Sequence, residues 1–486
     1  MKNKEVRVRI APSPTGSLHL GTARSALYNY LFAKREGGTF VLRIEDTDLE
    51  RSEERFTKQI IDGLEWLGIE WDEGPTSDGK EKGKYGPYFQ TKRTATYEKY
   101  IKQLLDEDKA YYCYCSKEEL EAERKAMEEK GVAPVYSGKC CKLTEEEKKA
   151  YEKKGRNSII RYRVPEKIIT FKDMIRGEVT FDTGLLGDIA VARDVKTPLY
   201  NLAVVIDDYM MKISHVIRGE DHLSNTPKQI LMTEALGFPV PEFGHLPLIL
   251  NEDKTKLSKR KTKVTIDDYK EDGYLPEAIL NFVLLLGWNP KTEQEMFTLP
   301  DMVHVFNIGG VHKGGAVFAK DKLDWINSQY LRKLSPDEFL KLALPFLEKA
   351  GINTSDKEYV KKAIVLEQER IKKLSDLPDM VKFFFNDISY DPALLVWKKS
   401  DPEVIKANLK LALEFFESLD EKEWSEENIE KGLMKLIEER GLKNGEILWP
   451  IRVALTGEEK SPSPFEVAGV LGKERVIERI RKANIL

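Results

Sequence analysis

Residues 6–24, V-R-V-R-I-A-P-S-P-T-G-S-L-H-L-G-T-A-R, leave little freedom in how this chain can begin to fold. Val6, Val8 and Ile10 alternate with the period of a strand, Pro12, Pro14 and Gly16 punctuate a turn, and a helix is entered between Ser17 and Gly21. Such a unit collects backbone N–H groups and the positive end of a helix dipole at one point, where an anion can be held. His19 adds a side-chain donor there. The same layout also serves as plain scaffold, so its meaning depends on the rest of the chain.

Gly37 and Gly38 close the helix, and residues 39–44 read as a second apolar strand ending in Glu45-Asp46-Thr47-Asp48. A strand, helix and strand within about 40 residues form a βαβ unit with a right-handed crossover and a parallel sheet. Ligands in such sheets sit beyond the carboxyl ends of the strands, where both the P-S-P-T-G turn and the I-E-D-T-D acids fall. Glu45 directly follows a buried strand and is a functional candidate, whereas Asp48 suits capping of a helix over 51–67. Helices are expected over 94–108 and 117–130. Alternating strands over 159–164 and 178–193 then make a small mixed subdomain inserted into a nucleotide-binding fold.

That fold resumes near Tyr200, with buried strands predicted at 202–206, running into Asp207-Asp208, and at 213–217, running into R-G-E-D-H. A helix follows at 226–235. The loop N-E-D-K-T-K-L-S-K-R-K-T-K, 251–263, carries six basic residues and, read alone, suits a solvated surface. One helix is expected over 267–288, stopping at Gly287. From Ser335 the pattern is wholly helical, with capping boxes at Ser335/Glu338, Ser355/Glu358 and Ser463/Glu466. Pro378 and the D-I-S-Y-D-P stretch divide this third into two helical subdomains.

At 486 residues and 41% apolar content the chain can build several cores. A net charge of −4 argues against a generally basic nucleic-acid binder, though not against local basic faces. No apolar run approaches the roughly 20 residues of a membrane span, and a cytoplasmic protein is expected. All four cysteines fall in the insert: Cys113 and Cys115, then Cys140 and Cys141. In a reducing compartment such clustering favours a metal over disulfides. Zinc would take four ligands at about 2.0–2.3 Å, three of them thiolates and the fourth Cys141 or Tyr136. A set of reduced, partly buried thiols is the alternative.

A-P-S-P-T-G-S-L-H-L-G-T, paired with K-L-S-K-R well over 200 residues later, resembles the H-I-G-H and K-M-S-K-S signatures of class I aminoacyl-tRNA synthetases. With R-I-E-D-T-D, L-Y-N-L-A-V-V-I-D-D, I-R-G-E-D-H and L-L-G-K-E-R, essentially the whole chain resembles bacterial glutamyl-tRNA synthetases. The resemblance implies an α/β Rossmann-type catalytic domain in two halves, 1–93 and 199–250, around an inserted α+β acceptor-end-binding domain, 94–198. A stem-contact domain with the K-L-S-K-R loop, 251–334, and an all-α anticodon-binding region, 335–390 and 391–486, complete it. The implied activity is ligation: glutamate and ATP give glutamyl-adenylate, and the 2′-hydroxyl of the terminal adenosine of tRNA(Glu) takes the acyl group. ATP, Mg2+ and possible Zn2+ are the implied cofactors, on a monomer without a membrane partner.

Residue by residue, the resemblance makes His19, Lys256 and Lys259 catalytic. ATP would meet Thr15, Gly16, His19, Gly21, Thr22, Lys256, Leu257, Ser258, Lys259 and Arg260. Thr22 stands where the general signature has its second histidine. Glutamate would meet Arg9, Ala11, Ser13, Glu45, Tyr200 and Arg218, with Glu45 on the ammonium and Arg218 on the side-chain carboxylate. Val204 replaces an asparagine of some relatives. Relatives hold zinc through counterparts of Cys113, Cys115 and Cys140. Lys142 replaces their histidine, whereas Tyr136 keeps the spacing of their tyrosine, so Tyr136 is the expected fourth ligand. Gln368, Glu369 and Arg370 are anticodon candidates, and an ordinary helix surface is the competing reading for them. A glutaminyl enzyme would carry a β-barrel anticodon region and a truncated glutamyl-queuosine enzyme none. An inactive relative would have degraded signature loops.

Overall fold

β1 (Arg7–Ile10), α1 (Leu20–Arg35) and β2 (Thr39–Leu42) form the expected unit, the strands parallel with Arg7 opposite Thr39 and Ile10 opposite Leu42. The structure is a computed structural model that describes residues 5–48, 50–132, 134–257 and 263–484. At the end of α1, Gly37 takes a φ of 63°, and a Cβ on Gly38 would sit 2.3 Å from the Val6 carbonyl oxygen. Glycine is therefore required where the chain folds back beside β1. α2 (Glu54–Trp66), the antiparallel pair β3 (Gly74–Pro75) and β4 (Glu81–Lys82), and α3 (Thr94–Asp106) follow.

The insert holds β5 (Ala110–Cys113), α4 (Lys117–Glu129), α5 (Glu145–Lys153), β6 (Ile159–Tyr162), β7 (Ile168–Asp173), β8 (Gly177–Asp182), β9 (Ile189–Asp194) and β10 (Thr197–Pro198). Four of these strands make an antiparallel sheet in the order β10-β9-β6-β5. The α4 and α5 helices bury no residue and rest on capping boxes at Ser116 and Thr144. The β7–β8 hairpin leaves the insert's sheet. It extends the parallel pair β11 (His215–Gly219) and β12 (Glu242–Leu246) into the order β11-β12-β7-β8. β11 runs beside β1, the Ser214 amide donating to the Arg7 carbonyl over 2.9 Å.

The strand predicted at 202–206 is a helix, α6 (Tyr200–Met210). Leu202, Ala203, Val204, Val205 and Ile206 are all buried, as are Asp207 and Asp208. A helix apolar on every face carries no 3.6-residue signature, and so reads like a buried strand. α7 (Thr226–Ala235) has the predicted bounds. β13 (Ile249–Leu250) pairs with β14 (Ala316–Val317). The single helix expected over 267–288 is two, α8 (Ile266–Glu271) and α9 (Pro276–Leu285). Gly273, at φ 79°, and Pro276 at the start of α9 break it. α10 (Leu299–Val305) follows.

The contacts divide the chain into two units, Met1–Tyr269 with Pro276–Lys320, and Lys270–Leu275 with Asp321–Leu486. The second unit has helices and no strand among its described residues: α11 (Lys320–Arg332), α12 (Pro336–Lys349), α13 (Lys357–Val365), α14 (Leu377–Phe385), α15 (Pro402–Ser418), α16 (Glu426–Arg440), α17 (Asn444–Thr456), α18 (Pro464–Leu471) and α19 (Lys473–Ala483). Ser335 and Ser463 cap as expected. Ser355 does not: Asp356, one residue on, accepts the Tyr359 amide over 3.0 Å. Either side chain can cap, and the carboxylate also suits the helix dipole.

Glu367, next to the anticodon candidates, is 1% exposed. Burial raises its carboxyl to about 7, although Arg370 Nη1 donates to it over 2.8 Å. A carboxyl with a raised folded value binds more protons folded than unfolded between pH 4.5 and 7, so it weakens the fold as pH rises through that window. Glu367→Gln is expected to flatten this dependence and to raise the urea midpoint of the helical unit at pH 8 relative to wild type. An unchanged slope between pH 5 and 8 would contradict it.

Candidate active site

A cavity of about 470 Å³ opens at the carboxyl ends of β1 and β11. Arg9, Ala11, Ser13, His19, Gly21, Thr22, Glu45, Tyr200, Arg218, Lys256 and Leu257 all line it. The first loop, the end of β2, α6, β11 and the base of the basic loop thus converge on one space. Thr15 and Gly16 stand in the turn outside the lining, where the Thr15 amide donates to Ser13 O over 2.9 Å. Ser258, Lys259 and Arg260 lie outside the described residues. Val204 lines a separate cavity of about 350 Å³.

His19 is the N-cap of α1, and its Nδ1 accepts the Gly21 amide over 3.2 Å. In the neutral ring this places the proton on Nε2. The first turn of α1 holds no acid and its last turn holds Lys34 and Arg35, the charge order that suits an anion at the N-terminus. Lys256 bridges back to Leu250, and its Nζ lies 3.9 Å from Asp221 Oδ2, a half-exposed contact of little strength.

Behind the cavity lies a buried network of charges. Asp208 Oδ1 accepts from Arg9 Nε at 3.2 Å and from Arg43 Nη1 at 2.6 Å. Arg43 Nη2 donates to Glu45 Oε1 over 2.9 Å, and its Nε lies 3.9 Å from Asp207. Asp207 accepts in turn from Gln90, Arg93 and Tyr97. Burial works against the charges of Arg43, Glu45, Asp207 and Asp208. At Asp208 the nearby Arg9 and Arg43 outweigh it and hold the carboxyl below its usual range. At Glu45 burial wins over Arg43 and pulls the carboxyl up.

Arg218, 6% exposed, has different surroundings. Its Nε donates to His245 Nε2 at 3.3 Å and its Nη2 to Thr226 Oγ1 at 2.8 Å. Nη1 is buried and has no partner among the described residues. Tyr200 meets His222 Nδ1 at 3.1 Å, and burial, with Arg218 adding, drives that imidazole down to about 4. Both histidines therefore stay neutral at pH 7. Arg43, Asp208, His222 and His245 were not singled out in the sequence. For His222 the strand-end position of R-G-E-D-H is a signal, and for Arg43 its place in R-I-E-D-T-D; Asp208 is expected at the end of a strand that is a helix, and His245 carries no signal.

In the insert, the Sγ atoms of Cys113, Cys115 and Cys140 lie within 4.8 Å of one another. The Tyr136 hydroxyl is 3.3 Å from Cys113 Sγ and 3.5 Å from Cys115 Sγ, and it accepts the Cys140 amide over 3.0 Å. Cys141 is not among these clustered sulfurs. Burial opposes the Cys113 thiolate, but hydrogen bonds from Tyr136, the Cys115 amide and Arg161 prevail and lower its pKa. Three thiols and a phenol at this spacing are a donor set that fits a tetrahedral Zn2+.

In the helical unit the anticodon candidates follow α13 in a turn, not on a helix surface. Gln368 is buried, its amide donating to Leu331 O and Leu334 O over 2.8 and 2.9 Å, which makes it a joint between segments. Glu369 is exposed beside Arg332, and Arg370 is held by Glu367.

The sheet, the cavity at its strand ends and the two signature loops define the catalytic domain of a class I aminoacyl-tRNA synthetase. Residues 5–325 match the family model for tRNA synthetases class I (E and Q), catalytic domain, and residues 338–484 match an anticodon binding domain. Glutamate–tRNA ligase 2 of Caldanaerobacter subterraneus is 46% identical over 99% of this chain and all of its own length. The glutamate–tRNA ligase of Bacillus subtilis is 42% identical over 98% of this chain and 99% of its own. The crystal structure of a glutamate tRNA ligase from Elizabethkingia meningosepticum in complex with its amino acid superposes with a TM-score of 0.88 at 37% identity, covering 99% of both chains. The chain belongs to the glutamate–tRNA ligase family.

The buried Arg43 makes a stability prediction concrete. Arg43→Met leaves Asp207, Asp208 and Glu45 without their shared cation and should cost about 3–5 kcal/mol. Urea unfolding of the purified variant measures this, and a loss under about 1 kcal/mol would show the acids to be neutralised otherwise.

Proposed function

We propose that the cavity activates L-glutamate with ATP, forming glutamyl-adenylate and pyrophosphate, and passes the acyl group to the 2′-hydroxyl of the terminal adenosine of tRNA(Glu). The observation that carries this reading is the buried Nη1 of Arg218, without a partner among the described residues, in a cavity that also holds Arg9 and Glu45. One α-ammonium and two carboxylates need one acid and two well-held cations. In this reading Arg218 takes the side-chain carboxylate, Glu45 the ammonium, and Ser13, Ala11 and Tyr200 shape the remainder.

His19 and the first turn of α1, with Thr22, meet the phosphates. Lys256 and Lys259 neutralise charge as the α-carboxylate attacks the α-phosphorus and pyrophosphate departs. Positioning and charge neutralisation supply most of such a rate. Mg2+ enters with the nucleotide. Zn2+ held by Cys113, Cys115, Cys140 and Tyr136 would clamp the insert and take no part in the chemistry. The domain bounds 1–93, 94–198, 199–250, 251–334, 335–390 and 391–486 are proposed on the family pattern. A monomer is proposed on the family pattern, and no helix among the described residues is long and apolar enough to cross a membrane. A cytoplasmic site of action goes with the reaction. Glu369 and Arg370 remain proposed anticodon contacts, with Gln368 supporting them from behind.

Purified protein is expected to charge tRNA(Glu) with labelled glutamate only when ATP and magnesium are present. A parallel reaction on tRNA(Gln) decides whether it also serves that acceptor. Arg218→Gln should raise the glutamate KM at least about tenfold, since a charge-assisted hydrogen bond contributes roughly 1.5–3 kcal/mol. The ATP KM should stay within about twofold. An unchanged glutamate KM would overturn the assignment of Arg218.

A further inference from the structure

Behind Arg218, and outside the cavity lining, stands a pair of buried groups that the ligase reading does not use. Asp173 ends β7, His245 lies on β12, and Arg218 is the register partner of His245 on β11. Asp173 is 1% exposed and His245 not at all. Asp173 Oδ1 accepts the amides of Ile175 and Arg176 at 2.9 and 2.8 Å, and Oδ2 lies 2.6 Å from His245 Nδ1. His245 Nε2 lies 3.3 Å from Arg218 Nε and 3.0 Å from Thr226 Oγ1.

The direction of each bond follows from what each group can do. An ionised carboxylate only accepts, so His245 Nδ1 carries the proton. Burial pushes the imidazole below its usual value against the Asp173 bond, and Arg218 adds to that, so the ring is neutral and Nε2 is bare. A bare nitrogen only accepts. Arg218 Nε–H and the Thr226 hydroxyl therefore both donate to it, and Thr226 Oγ1 is left to accept Arg218 Nη2. Two edges of the guanidinium are held by neutral acceptors, and the charge of Arg218 is not cancelled by a carboxylate in contact. Were an acid in the place of His245, the cation would be half satisfied before any ligand arrived, and a neutral amide would bind nearly as well as a carboxylate.

We propose that Asp173 and His245 are positioning residues that aim Arg218 and leave its charge available, and that they set the preference for glutamate over glutamine. This rests on the reading of the cavity as the glutamate site. Asp173→Asn tests it at constant shape. The asparagine Oδ1 keeps the backbone amides, while its Nδ2 donates to His245 Nδ1 and moves the ring proton to Nε2, where it meets the N–H of Arg218.

In aminoacylation at saturating ATP and tRNA, Asp173→Asn is expected to raise the glutamate KM about tenfold or more with kcat changed less than about threefold. Competition of unlabelled glutamine and glutamate against labelled glutamate reads selectivity, and the ratio should shrink by a similar factor. His245→Gln keeps one donor and one acceptor and should hold the KM well below that of His245→Leu. If Asp173→Asn changes neither KM nor ratio while Arg218→Gln raises KM, the proposal fails and the site reading stands. If Arg218→Gln is also silent, the site reading itself fails. Should Asp173→Asn unfold, as its melting temperature would reveal, the His245 pair decides, and equal KM values for the two variants overturn the proposal.

Discussion

Arg43 leaves the end of β2 wholly buried, and the geometry of the cavity depends on where its guanidinium goes. It reaches Glu45 on its own strand end and both Asp207 and Asp208 on α6. A cation among three acids in a dry interior cannot be moved piecemeal, because each departure strands a charge. The contact therefore ties the second strand to a helix some 160 residues later at a fixed distance. Through Asp208 it also fixes Arg9 on the first strand. The proposed amino-acid side of the cavity is built by charge, whereas Val8, Phe40 and Val41 in the same strands are held by apolar burial.

That division explains what could be read from the chain and what could not. The strand, turn and helix of residues 6–35 were legible because period, turn residues and an N-cap agree locally. α7 and the caps at Ser335 and Ser463 were legible for the same reason. α6 was not, since the acids at its end look like a strand running out to solvent, and only the distant Arg9, Arg43 and Arg93 make their burial tolerable. Glu45 is legible from its place at a strand end, whereas Arg9, Tyr200 and Arg218 rest on a resemblance of motifs; the arrangement of neutral acceptors around Arg218 has no local signature. His245 reads as an ordinary strand residue until β7 arrives beside it from the insert.

Two arginines thus face one cavity in opposite electrostatic conditions. Arg9 touches Asp208 with its Nε and Nη2, so much of its field is absorbed by the protein itself. Arg218 touches an imidazole nitrogen, a hydroxyl and a carbonyl, none of them charged. A ligand carboxylate gains more at the second than at the first. For a molecule with two carboxylates and one ammonium, the asymmetry orients it: the end without the ammonium belongs at Arg218, and the zwitterionic end beside Glu45 and the quenched Arg9.

The proposed phosphate side follows a different rule, because in that reading pyrophosphate forms and departs there in each turnover. His19 spends Nδ1 on the Gly21 amide, which holds the ring against the first turn of α1 and leaves Nε2 as the donor. No acid in that turn competes for the anion. Among the described residues Lys256 Nζ has a half-exposed contact with Asp221 at 3.9 Å, which a phosphate could replace at small cost in free energy. Strong buried pairs on the amino-acid side and weak exposed ones on the nucleotide side suit a site that must keep one substrate aligned while pyrophosphate departs.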